Sequence, residues 1–79
     1  MRTIILERTP YENWYKPIAE YQLQLAEFDL NLNNKNYYEN VIRDENGIAT
    51  YPFDVAEKIM KYWKTKYPFA HYRIKMVNL

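Results

Sequence analysis

The stretch DVAEKIMKYWKTKY, residues 54–67, decides the fold because it carries the clearest helix signal in the chain. Asp54 is a favoured N-cap residue, and Glu57 stands three positions later, where a capping box has its second member. Pro68 disfavours helix at Tyr67, so the helix is expected to end there. Apolar residues recur at spacings of three and four and predict one buried stripe, made of Val55, Ala56, Ile59, Met60, Trp63 and Tyr67.

The segments on either side of this helix have strand signals. A β-hairpin is predicted over residues 37–53, with its turn at Asn46 and Gly47. Both residues accept the positive φ that a type I′ turn, or a type I turn with a G1 bulge, requires. Residues 69–77 alternate between apolar and polar, which predicts a final strand whose core-facing residues are Ala70, Tyr72, Ile74 and Met76.

The N-terminal part of the chain begins with a strand signal. Residues 2–8, RTIILER, have an aliphatic, β-branched centre between charges, which is typical of a short buried strand. Thr9, Pro10 and Glu12 then offer a cap, a favoured first helical residue and a capping-box partner. These three residues predict a turn of helix over residues 10–15.

Residues 18–32 fit two interpretations. As a helix, they form an apolar stripe at spacings of three and four, made of Trp14, Ile18, Tyr21, Leu25, Phe28 and Leu32. Leu23 and Leu30 then fall on the polar side. As a strand, they alternate, and a bulge at Ala26–Glu27 keeps every leucine on the apolar face. We favour the strand for that reason.

The expected fold class is α+β in one domain over residues 1–79. We expect a small antiparallel sheet, in which the hairpin at 37–53 is followed by one packed helix at 54–67 and a final strand. The alternative is a ferredoxin-like βαββαβ order, which applies if residues 18–28 are helical.

The inventory of reactive side chains is poor. The chain has no serine, no cysteine, one histidine (His71) and one glycine. Nucleophilic triads, zinc sites and glycine-rich phosphate loops each need residues from this missing set. We therefore predict that the protein is not an enzyme and has no catalytic residue, cofactor site or metal site. The absence of cysteine and of a long apolar run favours a cytoplasmic location without a membrane partner.

Aromatic residues are unusually frequent. Nine tyrosines, two tryptophans and three phenylalanines make 18% of the chain aromatic, which is more than a core of this size encloses completely. Tyrosine is favoured at protein interfaces because it combines a large rigid contact area with a polar tip. The residues at element ends or beside loops are the predicted protein interface: Tyr11, Trp14, Tyr15, Tyr37 and Tyr38.

Charge is distributed unevenly along the chain. Residues 1–54 hold nine acidic and five basic side chains, a net charge of −4, whereas residues 55–79 hold one acidic and six basic side chains, a net charge of +5. This asymmetry also permits a homodimer in which the positive helix face of one copy meets the acidic hairpin turn of the other. The basic residues are the expected contacts for nucleic acid or for an acidic partner, and they are Lys58, Lys61, Lys64, Lys66, Arg73 and Lys75.

Two functions follow from these observations. The leading hypothesis is a small non-enzymatic protein-binding module. Phage and mobile-element proteins of this size act as inhibitors or accessory factors that occlude a site on a larger host protein, such as a defence nuclease. The alternative is a nucleic-acid-binding accessory protein that uses the basic face of the C-terminal helix to neutralise phosphates.

Overall fold

A computed structural model describes residues 2–32 and 41–78. In chain order its elements are β1 (Arg2–Arg8), β2 (Lys16–Pro17), α1 (Glu20–Asp29), β3 (Ile42–Arg43), β4 (Ala49–Pro52), α2 (Phe53–Lys66) and β5 (His71–Val77). The protein is an α+β domain with an antiparallel sheet and two helices.

Strand β1 lies at the centre of the sheet. Its whole length pairs antiparallel with β5, from Arg2 opposite Val77 to Arg8 opposite His71. Two strands share its other edge. Strand β4 pairs with Arg2 and Thr3, and strand β2 pairs with Leu6 and Glu7. Strand β3 pairs with β4, so the four main strands lie in the order β5–β1–β4–β3.

This order is the split βαβ arrangement. Strands β1 and β3 both run antiparallel to β4, so they are parallel to each other, and α1 connects them with β4 lying between. Strands β4 and β5 are likewise parallel, connected by α2 and separated by β1. Apart from the two-residue β2, the chain therefore follows the ferredoxin-like βαββαβ order, and the sequence alternative is confirmed.

Both helices lie on one face of the sheet. Helix α2 contacts β1, β4 and β5, and α1 contacts α2. Opposed residues of an antiparallel pair share a face, so Ile5 and its partner Ile74 both point toward the helices. The core lies between the two layers and consists of Ile5, Ile18, Leu23, Ala26, Ala49, Tyr51, Ala56, Ile59, Trp63 and Tyr72.

Helix α2 forms where the sequence predicts it, but its first residue and its N-cap residue differ from the predicted ones. It begins at Phe53 and is preceded by Pro52 as N-cap, with no side-chain hydrogen bond at the cap. The predicted capping box of Asp54 and Glu57 is therefore wrong, although Asp54 still places a negative charge in the first turn, where the helix dipole favours it. The buried stripe is confirmed at Ala56, Ile59 and Trp63.

Helix α1 corrects the favoured strand interpretation. Its buried side is narrow and consists of Gln22, Leu23 and Ala26, whereas Tyr21 and Phe28 on the predicted apolar stripe are exposed. The leucine that the helical pattern seemed to leave outside, Leu23, is 5% exposed. The apolar pattern misled the prediction because this helix buries a glutamine and an alanine beside Leu23 and leaves Tyr21 and Phe28 exposed.

The hairpin forms, and its turn is the predicted type I turn with a G1 bulge. Gly47 has φ of 79°, while Asn46 is outside the positive-φ region, as in a type I turn followed by a G1 bulge. The Asp44 carboxylate accepts hydrogen bonds of 2.9 Å from the N–H groups of Asn46 and Ile48. The two arms of the hairpin pair at Ile42 with Thr50 and at Arg43 with Ala49. Phe53 belongs to α2, and residues 37–40 lie outside the described ranges.

The final strand is shorter than predicted. It begins at His71, because Phe69 and Ala70 form the turn that follows α2. Tyr72 and Ile74 pack against the core as predicted. Met76 was expected there as well, but it is 59% exposed because it lies at the end of the sheet.

The two tryptophans occupy opposite environments, which makes a matched pair of variants. Trp63 is 1% exposed and Trp14 is 67% exposed. We expect Trp63→Ala to lower the free energy of unfolding by about 3–5 kcal/mol through the cavity it leaves. Trp14→Ala is expected to change that free energy by less than about 0.5 kcal/mol. Urea unfolding followed by circular dichroism measures both, and equal losses would contradict the assigned core.

Candidate docking site

Four exposed aromatic rings meet at one end of the molecule. Tyr11 lies in the β1–β2 connection, Tyr21 in the first turn of α1, Tyr67 directly after α2 and Phe69 in the turn before β5. Their exposed fractions are 96%, 70%, 53% and 79%. They line a groove of about 470 Å³ together with Glu7, Thr9, Pro10, Gln22 and Ala70. We call it the aromatic groove.

The end of α2 sets the position of two of these rings. Pro68 cannot continue the helix, and the N–H of Tyr67 closes the last turn on the carbonyl of Trp63 at 2.7 Å. The Tyr67 ring stacks on the buried Trp63 indole, with centroids 5.5 Å apart and planes 12° apart. A hydrogen bond of 3.3 Å from the Ala70 N–H to the Tyr67 carbonyl then closes the turn that carries Phe69.

The groove has polar groups along one side. The Gln22 side chain donates to the Glu7 carboxylate at 3.0 Å, and its oxygen accepts from the Ala19 N–H at 3.3 Å. Glu7 is also the cross-strand partner of Tyr72. These contacts fix the carboxylate and amide, so the groove combines an apolar rim with hydrogen-bonding groups held in place.

Tyr72 lies beside this polar side of the groove and is 7% exposed. Its hydroxyl is buried and interacts with the Glu7 carboxylate, but no described residue accepts from it at a standard hydrogen-bonding distance and angle. Burial raises the pKa of Tyr72 well above its usual value, and the nearby Glu7 carboxylate adds to the shift. A buried hydroxyl without a partner destabilises the fold relative to a phenylalanine of the same shape.

The segment that presents Tyr11 is a turn, so the predicted helix over residues 10–15 is wrong. The Glu12 N–H donates to the Thr9 carbonyl at 3.2 Å, and the Glu12 carboxylate accepts from the Thr9 N–H at 3.1 Å. Arg8 holds the same turn through a bond of 2.9 Å to the Glu12 carbonyl. One of the two bonds of a capping box, from the Thr9 N–H to the Glu12 carboxylate, is thus present without a helix, because the chain turns back to pair as β2.

Glu12 is the most strongly shifted carboxyl group of this turn. Its ion pair with Lys16, at 2.8 Å, lowers the pKa of Glu12 from 4.5 to about 2, and the hydrogen bond from Thr9 contributes to the shift. The same contact raises the pKa of Lys16.

The predicted interface residues are only partly brought together. Tyr11 lines the aromatic groove, while Trp14 is exposed but is not one of its lining residues. Tyr15 is half-buried, with the guanidinium carbons of Arg8 and Arg73 at 5.7 Å and 5.0 Å from its ring centroid. Tyr37 and Tyr38 lie outside the described residues.

Sequence reasoning missed three of the four rings of the groove. Tyr21 and Tyr67 were assigned to apolar stripes, and Phe69 was assigned to the start of a strand. The one local signal was Pro68 between two aromatics, since a proline that ends a helix leaves both neighbours in a turn. Their meeting with Tyr11 depends on long-range packing, for which the sequence has no local signal.

The predicted basic contacts fall on two separate surfaces. Lys58, Lys61, Lys64 and Lys66 are exposed along α2, where Lys61 pairs with Glu57 and Lys66 with Asp29, each at 3.7 Å. Arg73 and Lys75 lie on the face of the sheet opposite the helices, because Tyr72 and Ile74 alternate with them and pack into the core. The structure does not bring the two groups together.

Residues 2–32 and 41–78 contain no membrane-spanning helix and no cluster of side chains suited to a metal ion. Their helices are too short or too polar to cross a bilayer. Their His, Asp and Glu side chains form no group of three or more that is arranged to bind a metal ion.

No protein family model, no curated protein and no solved structure matches the chain with significance. The geometry of the aromatic groove is therefore the basis for a functional assignment.

The shifted pKa of Glu12 makes a prediction about acid. A lowered pKa in the folded state means that the ionised carboxylate stabilises the fold above about pH 4.5, and that this contribution is lost as the pH falls toward about 2. An NMR titration of the Glu12 side chain should have its midpoint near pH 2. Lys16→Met should move the midpoint toward 4.5, and Lys64→Met should leave it unchanged. A midpoint near 4.5 in the unmodified protein would exclude the ion pair.

The unpaired hydroxyl makes a prediction about stability. We expect Tyr72→Phe to leave the free energy of unfolding unchanged or to raise it by about 1 kcal/mol. Tyr51→Phe is the matched control, because Tyr51 is equally buried and its hydroxyl donates to Glu27 at 3.3 Å. That variant should lose about 1 kcal/mol in urea unfolding. A similar loss in Tyr72→Phe would show that its hydroxyl has a partner in solution.

Proposed function

We propose that the protein is a non-enzymatic protein-binding module that docks through the aromatic groove. The observation that supports this proposal is the convergence of Tyr11, Tyr21, Tyr67 and Phe69 from three separate segments onto one groove. Exposed aromatics scattered singly are ordinary on protein surfaces, but rings gathered at one place are typical of interaction sites.

The chemistry of the groove suits a protein partner. Tyrosine and other large side chains are enriched at the centres of protein interfaces, where a few of them supply most of the binding energy. The Tyr67 ring is already held by its stack on Trp63, so little side-chain entropy is lost when a partner covers it. The polar pair of Glu7 and Gln22 would give orientation, since its hydrogen-bonding geometry is fixed before binding.

We further propose that binding occludes a site on a larger protein, as phage or mobile-element inhibitors of host enzymes such as defence nucleases do. A single small domain with a concentrated aromatic site and few reactive side chains is compatible with such an inhibitor. Its proposed place of action is the cytoplasm. The nucleic-acid alternative is weaker, because phosphate contacts from α2 and from β5 would lie on different sides of the molecule.

The test is capture of a partner from a lysate of the source cells, followed by calorimetry with the purified partner. We expect the double variant Tyr11→Ala/Phe69→Ala to weaken binding at least about 30-fold, as loss of hot-spot aromatics does. Phe28→Ala is the matched control, because Phe28 is 70% exposed on α1 and does not line the groove. It should bind as the unmodified protein does.

The same titration discriminates between the two functions. The variant Lys58→Glu/Lys64→Glu reverses two charges on α2 and should retain binding if the groove is the site. If this variant loses binding while Tyr11→Ala/Phe69→Ala retains it, the basic helix face is the functional surface. Equal binding by all variants would refute the groove proposal as well.

A further inference from the structure

Strand β5 has an outer edge that no other described strand covers. It pairs with β1 through all seven of its residues, and within residues 2–32 and 41–78 no second strand pairs with it. Every second residue of a strand directs its N–H and C=O groups to each edge, so β5 presents a row of hydrogen-bonding groups on its far side. Natural edge strands of this length are either protected or used for binding.

The side chains of β5 make this edge chemically distinctive. His71, Arg73 and Lys75 are exposed on the sheet face opposite the helices, and none of them forms an ion pair with a described residue. On the helix side, Ile74 is half-buried and Met76 is 59% exposed. The edge therefore offers a positive row made of Arg73 and Lys75 on one face and an apolar row made of Ile74 and Met76 on the other.

The nearest acidic side chains leave this positive row unpaired. Asp44 and Glu45 line a cleft of about 520 Å³ with Lys75 and the end of the strand, but neither carboxylate forms an ion pair with Lys75. Arg73 contacts the Tyr15 ring, which orients the guanidinium group without neutralising it. Within residues 2–32 and 41–78, neither Arg73 nor Lys75 has its charge neutralised by a carboxylate.

A second copy of this chain is a poor occupant of the edge. Antiparallel pairing of two β5 strands about a two-fold axis places residues of the same face opposite each other. If the two-fold axis passes through Ile74, Arg73 of one copy lies opposite Lys75 of the other. If it passes through Arg73 or through Lys75, that residue lies opposite the same residue of the other copy. Like charges directly opposite each other destabilise a strand pair, so the three registers centred on Arg73, Ile74 and Lys75 are disfavoured.

We propose that the outer edge of β5 binds an extended acidic segment of a partner protein by strand addition. Backbone hydrogen bonds would give affinity. Acidic side chains of the segment would lie opposite Arg73 and Lys75, and the apolar side chains that alternate with them would lie beside Ile74 and Met76. This surface differs from the aromatic groove, and the inference does not depend on the function proposed for that groove.

The probe is the capped peptide VEVEVEV, with two comparison peptides. In VKVKVKV the acids are replaced by lysines, and in the third peptide alternate amides of VEVEVEV are N-methylated along the edge that would pair. NMR spectra of the ¹⁵N-labelled full chain should show slowed amide exchange at every second residue of β5 when VEVEVEV is added. Neither comparison peptide should produce this protection.

Charge reversal tests the side-chain part of the proposal. Arg73→Glu/Lys75→Glu should weaken VEVEVEV binding roughly tenfold, since two favourable cross-strand pairs become repulsive, and it should confer binding of VKVKVKV. Lys58→Glu/Lys64→Glu makes the same charge change on α2 and should alter neither result. If the glutamate variant does not fold, Arg73→Gln/Lys75→Gln should still weaken binding of VEVEVEV.

Several outcomes would overturn the proposal. Binding of the N-methylated peptide as tightly as VEVEVEV would show that backbone pairing is not used. Protection of amides outside β5, or no protection at saturating peptide, would exclude this edge. Protection of β5 amides that grows with protein concentration in the absence of peptide would identify a second copy as the occupant. The partner binding of the variant Tyr11→Ala/Phe69→Ala tests only the function proposed for the aromatic groove and does not test strand addition at β5.

Discussion

The hydrogen bond from the Trp63 indole to the main-chain carbonyl of Gln22, 3.2 Å long, holds the two helices together. The indole is the largest fully buried side chain, and its N–H must find an acceptor because an unpaired donor in the core destabilises the fold. Gln22 supplies that acceptor from α1 while its side chain binds Glu7 of β1. One buried ring and one buried amide thus join both helices to the central strand.

The aromatic groove is a consequence of this arrangement. Because α2 is fixed by Trp63, the residue that follows the helix, Tyr67, stacks on the same indole and faces the first turn of α1. Tyr21 on that turn is exposed for the same reason, since Gln22 and Leu23 take the buried positions beside it. The groove is therefore supported by the largest fully buried side chain of the core, which favours a rigid docking surface over a mobile one.

The sheet separates the charged surfaces of the molecule. Helix α2 covers one face and directs its lysines outward, whereas the alternation of β5 sends Arg73 and Lys75 to the opposite face. The basic residues that lie close together in the C-terminal part of the sequence therefore do not form one basic patch on the surface of the protein. The physical consequence is two moderate positive surfaces, each suited to a local contact with acidic groups rather than to wrapping a polyanion.

The sequence alone determined the elements that have strong local signals. These elements are α2, with its three-four apolar spacing, β1, with its β-branched centre, and the hairpin turn, in which Gly47 permits a positive φ. It did not determine α1, because that helix buries Gln22 and Ala26 beside Leu23 and leaves most of its large apolar residues exposed, which contradicts its own hydrophobic pattern. Only the tertiary structure decided this segment, since the acceptor for the Trp63 indole and the partner for Glu7 both have to come from it. The meeting of the groove rings was decided in the same way, because contacts between residues far apart in the chain depend on how the layers pack and not on the residues next to each ring.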